Sequence, residues 1–203
     1  MTVSNRFTLF RAVFAPVFYL IFNLPVWLNS HTLGVISACI MIPLLAIAEI
    51  TDYWDGHYAR KYNEVSDFGK LFDPFADVVL NLTVFMCAVS AGCMPFVFFV
   101  LIFYREFSQT FLRMAALKKG FAIAARMSGK LKTVFYIISG FAFLVLESYT
   151  RLGLSFVPEH VDAVIKVTLK YTTLSLFLIC VLFSWGSFLD YIKSFYSLLK
   201  SDK

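Results

Sequence analysis

Apolar residues run almost unbroken through six stretches, near residues 8 to 28, 32 to 51, 71 to 91, 95 to 114, 131 to 150 and 165 to 188, with short polar interruptions between them. At about 1.5 Å of rise per residue, each stretch is long enough as a helix to cross a hydrocarbon core of about 30 Å. The pattern predicts an all-α polytopic membrane protein with six transmembrane helices, both termini on one side. The connections at Asn29 to His31 and Ala91 to Pro95 are so short that the helices they join must be antiparallel neighbours. Two longer polar stretches, 52 to 70 and 115 to 130, are where function should concentrate. No composition shift, Pro/Gly/Ser-rich linker or repeat divides the chain, which predicts one integral membrane domain over residues 1 to 203.

Composition strengthens this picture. The mean hydropathy is +0.76, and 60% of the 203 residues are hydrophobic, 24 of them Phe; a soluble domain is nearer half apolar. The net charge of +5 would suggest nucleic acid if it were clustered on a soluble face, but its distribution follows topology instead. Of 18 Lys and Arg residues, Arg151, Lys166 and Lys170 lie around the connection between the fifth and sixth runs. The other fifteen lie near the termini, at 60 to 70, or between 105 and 132. Basic residues are retained on the cytosolic side, so the termini and both long polar stretches are expected in the cytosol, and no nucleic-acid partner is expected. Cys39, Cys87, Cys93 and Cys180 lack metal-type spacing and read as small core or lipid-facing residues. The first run carries Arg11 and no small-residue cleavage site, so it reads as a retained helix.

Asp52, Asp55, Asp73 and Asp77, four of the carboxylates within a 26-residue stretch, break the apolar pattern. Close carboxylates repel by about 4 kcal/mol per pair at an effective dielectric near 20, so a cation is needed among them. Asp52 and Asp55 fall just beyond the end of the second run. Only 14 apolar residues, Val78 to Ala91, follow Asp77, too few to span alone, which puts Asp73 and Asp77 in the first turns of the third helix, where Pro74 is tolerated. Spacings of three and four place each pair on one helical face. Two facing pairs at adjacent helix ends suit one or two hard divalent cations with room for phosphates. Gly56, Ala59 and Gly69 leave space for close approach of a ligand to the backbone, and Arg60 can neutralise a pyrophosphate oxygen. Glu49 and Asn81 align with the Asp faces, either as supporting polar groups or as ordinary interhelical hydrogen-bonding residues. A cation pathway is the rival reading from another class. Against it, the acids lie at one interface rather than at the midplane.

Arg105 is the second departure from the pattern. About ten residues after Pro95, it would lie roughly 15 Å into the membrane, where an unaccompanied Arg costs on the order of 3 kcal/mol or more. It should face an internal polar cavity. Arg113, eight residues on, lies within about 80° of the same helical face, and the pair suggests binding of an anion.

The pattern D-x2-D-G-x2-A-R-x8-G-x3-D-x3-D, met here by Asp52, Asp55, Gly56, Ala59, Arg60, Gly69, Asp73 and Asp77, resembles the signature of the CDP-alcohol phosphatidyltransferase family. The resemblance implies a six-helix membrane enzyme that displaces CMP from a CDP-linked lipid with an alcohol, using divalent metal, Mg²⁺ or Mn²⁺ and two ions. It implies that Asp52, Asp55, Asp73 and Asp77 bind metal, that Asp77 is also the general base, and that Gly56, Ala59, Arg60 and Gly69 line the CDP-lipid pocket. The segments Asn5-Arg-Phe-Thr8-Leu-Phe-Arg11, Arg105-Glu106-Phe107 with Arg113, and Gly129-Lys130-Leu-Lys132-Thr133 are similar to those of its bacterial members that use glycerol 3-phosphate. By that likeness Arg105, Arg113 and Lys130 would bind the acceptor phosphate. Asn5, Thr8 and Arg11, which fall within about 120° of one helical face, would lie near the acceptor site. The expected partners are CDP-diacylglycerol, glycerol 3-phosphate and membrane lipids, with a homodimer left open, and the expected products are phosphatidylglycerophosphate and CMP. The alternative is another acceptor, such as inositol phosphate. The expected location is a bacterial cytoplasmic membrane with the site facing the cytosol. That branch usually carries Lys directly after the fourth Asp, where this chain has Val78.

Overall fold

The computed structural model describes residues 3–61, 67–118, 127–153 and 157–201. Within those helices, the side chains at 3–6, 52–53, 55–61, 67–68, 70–71, 117–118, 127–128, 130, 194–195 and 197–201 lie outside the description. The chain is all-α: α1 Val3–Trp27, α2 His31–Lys61, α3 Asp67–Ser90, α4 Phe96–Lys118, α5 Met127–Leu152 and α6 Glu159–Ser201. Five of the six are long and apolar enough to cross a membrane. The fourth, 23 residues long, carries Arg105, Glu106 and Arg113 along its length and falls short on composition.

The helices outrun the apolar stretches that predict them. The 31 residues of α2 extend about 46 Å, so Asp52, Asp55 and Arg60 sit on a helix that continues past the apolar run. The polar stretch 52 to 70 is therefore mostly helix rather than loop. Likewise α3 starts at Asp67, earlier than expected, so Asp73 and Asp77 are its seventh and eleventh residues and Pro74 is internal. A proline there forgoes one intrahelical bond, and α1 and α2 also tolerate internal prolines at 16, 25 and 43. The last helix begins six residues before its apolar run because Glu159 and Asp162 occupy its first turn, where carboxylates complement the helix dipole.

Tight reversals enforce the antiparallel order. Asn29 adopts φ 47° and Gly92 φ 69°, left-handed conformations that Asn tolerates and glycine adopts freely. They let Ser30 N–H reach the Pro25 carbonyl and Cys93 N–H the Ala88 carbonyl at 3.0 and 2.9 Å. Alternation then gathers the starts of α1, α3 and α5 and the ends of α2, α4 and α6 at one end of the bundle. Interhelical bonds agree: Thr8 near the start of α1 meets Asp73 of α3, while Ser90 at the end of α3 donates to Asn23 near the end of α1 at 3.1 Å.

The first helix packs on both α2 and α3, α5 packs on α2, α3 and α6, and α4 packs on α3 and α6. Phe14, Phe18 and Phe22 line the buried face of α1, and Phe85 lies edge-on to both Tyr136 and Phe177, with centroids 5.1 and 5.4 Å away. Gly140 admits α5 closely, since a Cβ there would come within 3.2 Å of Val84 Cγ1. Small residues at such crossings suit helices in lipid, where packing rather than water exclusion drives association. All four cysteines are free, with Cys87 and Cys180 buried and Cys39 exposed on the outer face. Burial pushes the Cys93 thiol up to about 11, which leaves it protonated at neutral pH.

Candidate active site

Two polar clusters occupy the half of the bundle where α1, α3 and α5 begin, the first near its end and the second deeper, at the middle of α4. In the first, Arg11 of α1 is almost fully buried. Its guanidinium divides between two acids one turn apart on α3, Nη2 donating to Asp73 Oδ1 and Nη1 to Asp77 Oδ1. Thr8, one turn before Arg11, places its hydroxyl 3.5 Å from the same Asp73 oxygen. The cation that the clustered acids require is thus supplied in part by the chain itself. Both carboxylates keep a face open, at 41% exposure for Asp73 and 33% for Asp77. Asn81 donates to the Asp77 main-chain carbonyl at 2.9 Å, and Val78 and Gly69 are half-buried on the same helix.

Oxygen-only donors with an accessible side fit a hard divalent cation. Among the described residues, no three His, Cys, Asp or Glu side chains converge. The side chains of Asn5, Asp52, Asp55, Gly56, Ala59, Arg60 and Lys130 lie outside the description, although each residue is on a helix: Asn5 on α1, the next five on α2 and Lys130 on α5. Asp73 and Asp77 thus form the described half of the expected carboxylate set. Arg11 and Thr8, expected near an acceptor, lie against that half.

The second cluster surrounds Arg105. Buried to 1% exposure, Arg105 donates from Nε to the Ser184 carbonyl at 2.9 Å, from Nη2 to Ser187 Oγ at 2.6 Å and from Nη1 to Glu106 Oε1 at 2.8 Å. The same Glu106 oxygen accepts from Lys132 Nζ at 2.7 Å and from the Tyr136 hydroxyl at 2.9 Å. Lys132 also lies 4.8 Å from the centroid of the Tyr136 ring, a cation–π contact. Arg113, half-buried on α4, contributes to the electrostatic field at Lys132. A buried charge in lipid needs such compensation, which explains why Arg105 is tolerated so deep. Sequence reasoning had no role for Glu106, Tyr136, Ser184 or Ser187; the one available signal was an acid directly beside an Arg inside an apolar run. Buried Arg105 and partly buried Lys132 facing one anion leave an excess positive charge, whereas Arg11 facing Asp73 and Asp77 leaves an excess negative one.

A third cluster marks the opposite end. Arg151 donates to Glu147 at 2.8 Å, to Ser37 Oγ at 2.6 Å and to the Phe22 carbonyl at 3.1 Å, with its guanidinium 4.2 Å from the Phe22 ring centroid. It joins α5 to α1 and α2.

The family model for CDP-alcohol phosphatidyltransferase matches residues 1–179. The chain is 32% identical over 98% of its length to a CDP-diacylglycerol–glycerol-3-phosphate 3-phosphatidyltransferase of Treponema pallidum, covering 92% of that protein. A Bacillus subtilis protein of the same name is 36% identical over 70% of the chain and 76% of its own length. A probable phosphatidylglycerophosphate synthase of Mycobacterium tuberculosis is 34% identical over 80% of the chain and 71% of its own length.

Proposed function

Because the chain belongs to the CDP-alcohol phosphatidyltransferase family, we propose that it transfers the phosphatidyl group of CDP-diacylglycerol to glycerol 3-phosphate, giving phosphatidylglycerophosphate and CMP. The observation that carries the choice of acceptor is the similarity, over 98% of this chain, to a relative named for that reaction. The excess positive charge around Arg105 and Lys132 supports it, because a phosphorylated alcohol needs cationic donors that a neutral alcohol does not.

In this reading the acceptor hydroxyl attacks the lipid-side phosphorus of the pyrophosphate. The new P–O bond forms as the bond to CMP breaks, CMP leaves with the electron pair, and Asp77 takes the hydroxyl proton. Asp52, Asp55, Asp73 and Asp77 would hold Mg²⁺ or Mn²⁺, one or two ions. Such ions, when bound, neutralise charge on the pyrophosphate and leaving group. Gly56, Ala59, Arg60 and Gly69 line the CDP-lipid pocket. Arg105, Arg113 and Lys130 take the acceptor phosphate, and Asn5, Thr8 and Arg11 flank the acids. The whole chain acts as one membrane domain, with the site and both termini on the cytosolic side of a bacterial cytoplasmic membrane, where the positive-inside distribution would place them. Acyl chains then remain in lipid while the nucleotide reaches water.

The test is CMP release by purified protein in detergent, with CDP-diacylglycerol and a panel of glycerol 3-phosphate, inositol phosphate, glycerol, serine and inositol. Preference for glycerol 3-phosphate is expected; preference for a non-phosphorylated alcohol would overturn the acceptor assignment. A chelator and Asp77→Asn should each abolish turnover, and full activity in the presence of chelator would reject the metal requirement.

A further inference from the structure

Glu106 is the only anion in the described cluster that holds Arg105 and Lys132, and a single one of its oxygens, Oε1, accepts from three groups. These are Arg105 Nη1 at 2.8 Å, Lys132 Nζ at 2.7 Å and the Tyr136 hydroxyl at 2.9 Å. The donors come from two helices, Arg105 from α4 and the other two from α5. The remaining Arg105 contacts fix it to α6, through the Ser184 carbonyl and Ser187 Oγ. Tyr136 OH is also 2.9 Å from Ser184 Oγ, which closes a loop through all three helices. Glu106 is 3% exposed. A carboxylate so buried in an apolar helix is costly, and an anion beside a pocket meant for a phosphate repels the ligand. Its presence therefore needs a reason beyond charge balance.

We infer that Glu106 is a positioning residue for the acceptor phosphate: it holds the Lys132 ammonium and the Arg105 guanidinium at a fixed separation, so that their unshared donors face one anionic group. The inference rests on the proposed acceptor and extends it, making Lys132 a member of the cationic pocket and Tyr136 part of its support. Lys132 sits on a flexible four-carbon stem with three donors; without the carboxylate it has no charged partner among the described residues. Arg105 keeps its α6 contacts when Glu106 is neutralised, so the chief loss is the orientation of Lys132 against it. A tie that merely stabilised the bundle would affect both substrates alike. A positioning role acts on the acceptor alone.

The experiment is steady-state kinetics in mixed micelles for the wild type, Glu106→Gln and Tyr136→Phe, varying glycerol 3-phosphate and CDP-diacylglycerol separately, with thermal midpoints measured in the same detergent. Glu106→Gln should raise the KM for glycerol 3-phosphate about tenfold or more, the scale of a hydrogen bond to a charged group, with the KM for CDP-diacylglycerol within about twofold of wild type. Tyr136→Phe removes one neutral donor and leaves every charge in place; it should raise the acceptor KM about threefold. It also serves as the arm that survives if Glu106→Gln does not fold. Unchanged acceptor KM in Tyr136→Phe, or an equal rise for both substrates in either variant, overturns the inference. Absence of glycerol 3-phosphate turnover in the wild type removes the acceptor assignment itself, and the inference with it, a result read before any variant is compared.

Discussion

Arg11 and Glu106 solve the same problem with opposite signs. Arg11 lies between two acids and Glu106 lies between two bases; each is nearly fully buried and each leaves its cluster one charge short of neutral. Breaking a fully buried pair costs about 3–5 kcal/mol. Asp73 and Asp77 are partly exposed, so water recovers part of that, and Arg11→Met should cost about 1–2 kcal/mol. The corresponding fall in thermal midpoint is about 2–8 °C for a chain of this size, measured in detergent without divalent ions. Added Mg²⁺ or Mn²⁺ should restore stability to the variant more than to the wild type, because the uncovered carboxylates regain a cation. An equal response in both proteins would argue that the ions do not bind at Asp73 and Asp77. Periodicity in the sequence was enough to put Thr8 and Arg11 on one face and Asp73 with Asp77 on another. That the two faces meet depends on the packing of α1 against α3, to which no local spacing responds. The partners around Arg105 are harder still to read, since Lys132 is 26 residues from Glu106 and Ser187 is 82 from Arg105.

At the scale of the helix, close approach rather than apolarity decides where elements meet. The contact of α5 with α3 depends on Gly140, where any side chain meets Val84. Gly140→Leu should destabilise by about 1–3 kcal/mol through overpacking, seen as a lowered thermal midpoint with reduced turnover. Gly34 in α2 has no heavy atom within 4 Å of an added Cβ, so Gly34→Ala should be neutral or slightly stabilising, given the helix propensity of Ala. Equal behaviour of the two variants would mean that Gly140 is not a packing contact. Helix number, order and reversals were legible because hydropathy responds directly to lipid. Helix ends were not: α2 runs to Lys61 and α3 begins at Asp67 through polar residues that carry no apolar signal but also no strong helix breaker. This continuation matters to the site, because the spacing of Asp52 and Asp55 makes one face only on a helix.

For the whole molecule, residues such as Leu9, Val13, Val17, Leu20, Phe107 and Phe111 remain exposed and form the perimeter that lipid would cover. The proposed orientation predicts that a fluorescent reporter fused to the C-terminus folds and glows in bacterial cells, and that Ser30→Cys reacts with an impermeant maleimide added outside intact cells. Labelling of Ser30→Cys only after permeabilisation would invert the topology. The ionic core of α4 has one further consequence, for biogenesis. Charged residues near a helix centre cost about 3 kcal/mol each during insertion, and α4 carries Arg105 next to Glu106. Arg105 and Glu106 pair with each other, but their remaining partners, Lys132, Tyr136, Ser184 and Ser187, are synthesised only later. The expected outcome is that α4 commits to the bilayer late: a nascent chain arrested soon after α4 has emerged should insert it less completely than one that continues through α6, as glycosylation or protease mapping of the arrested chains would show.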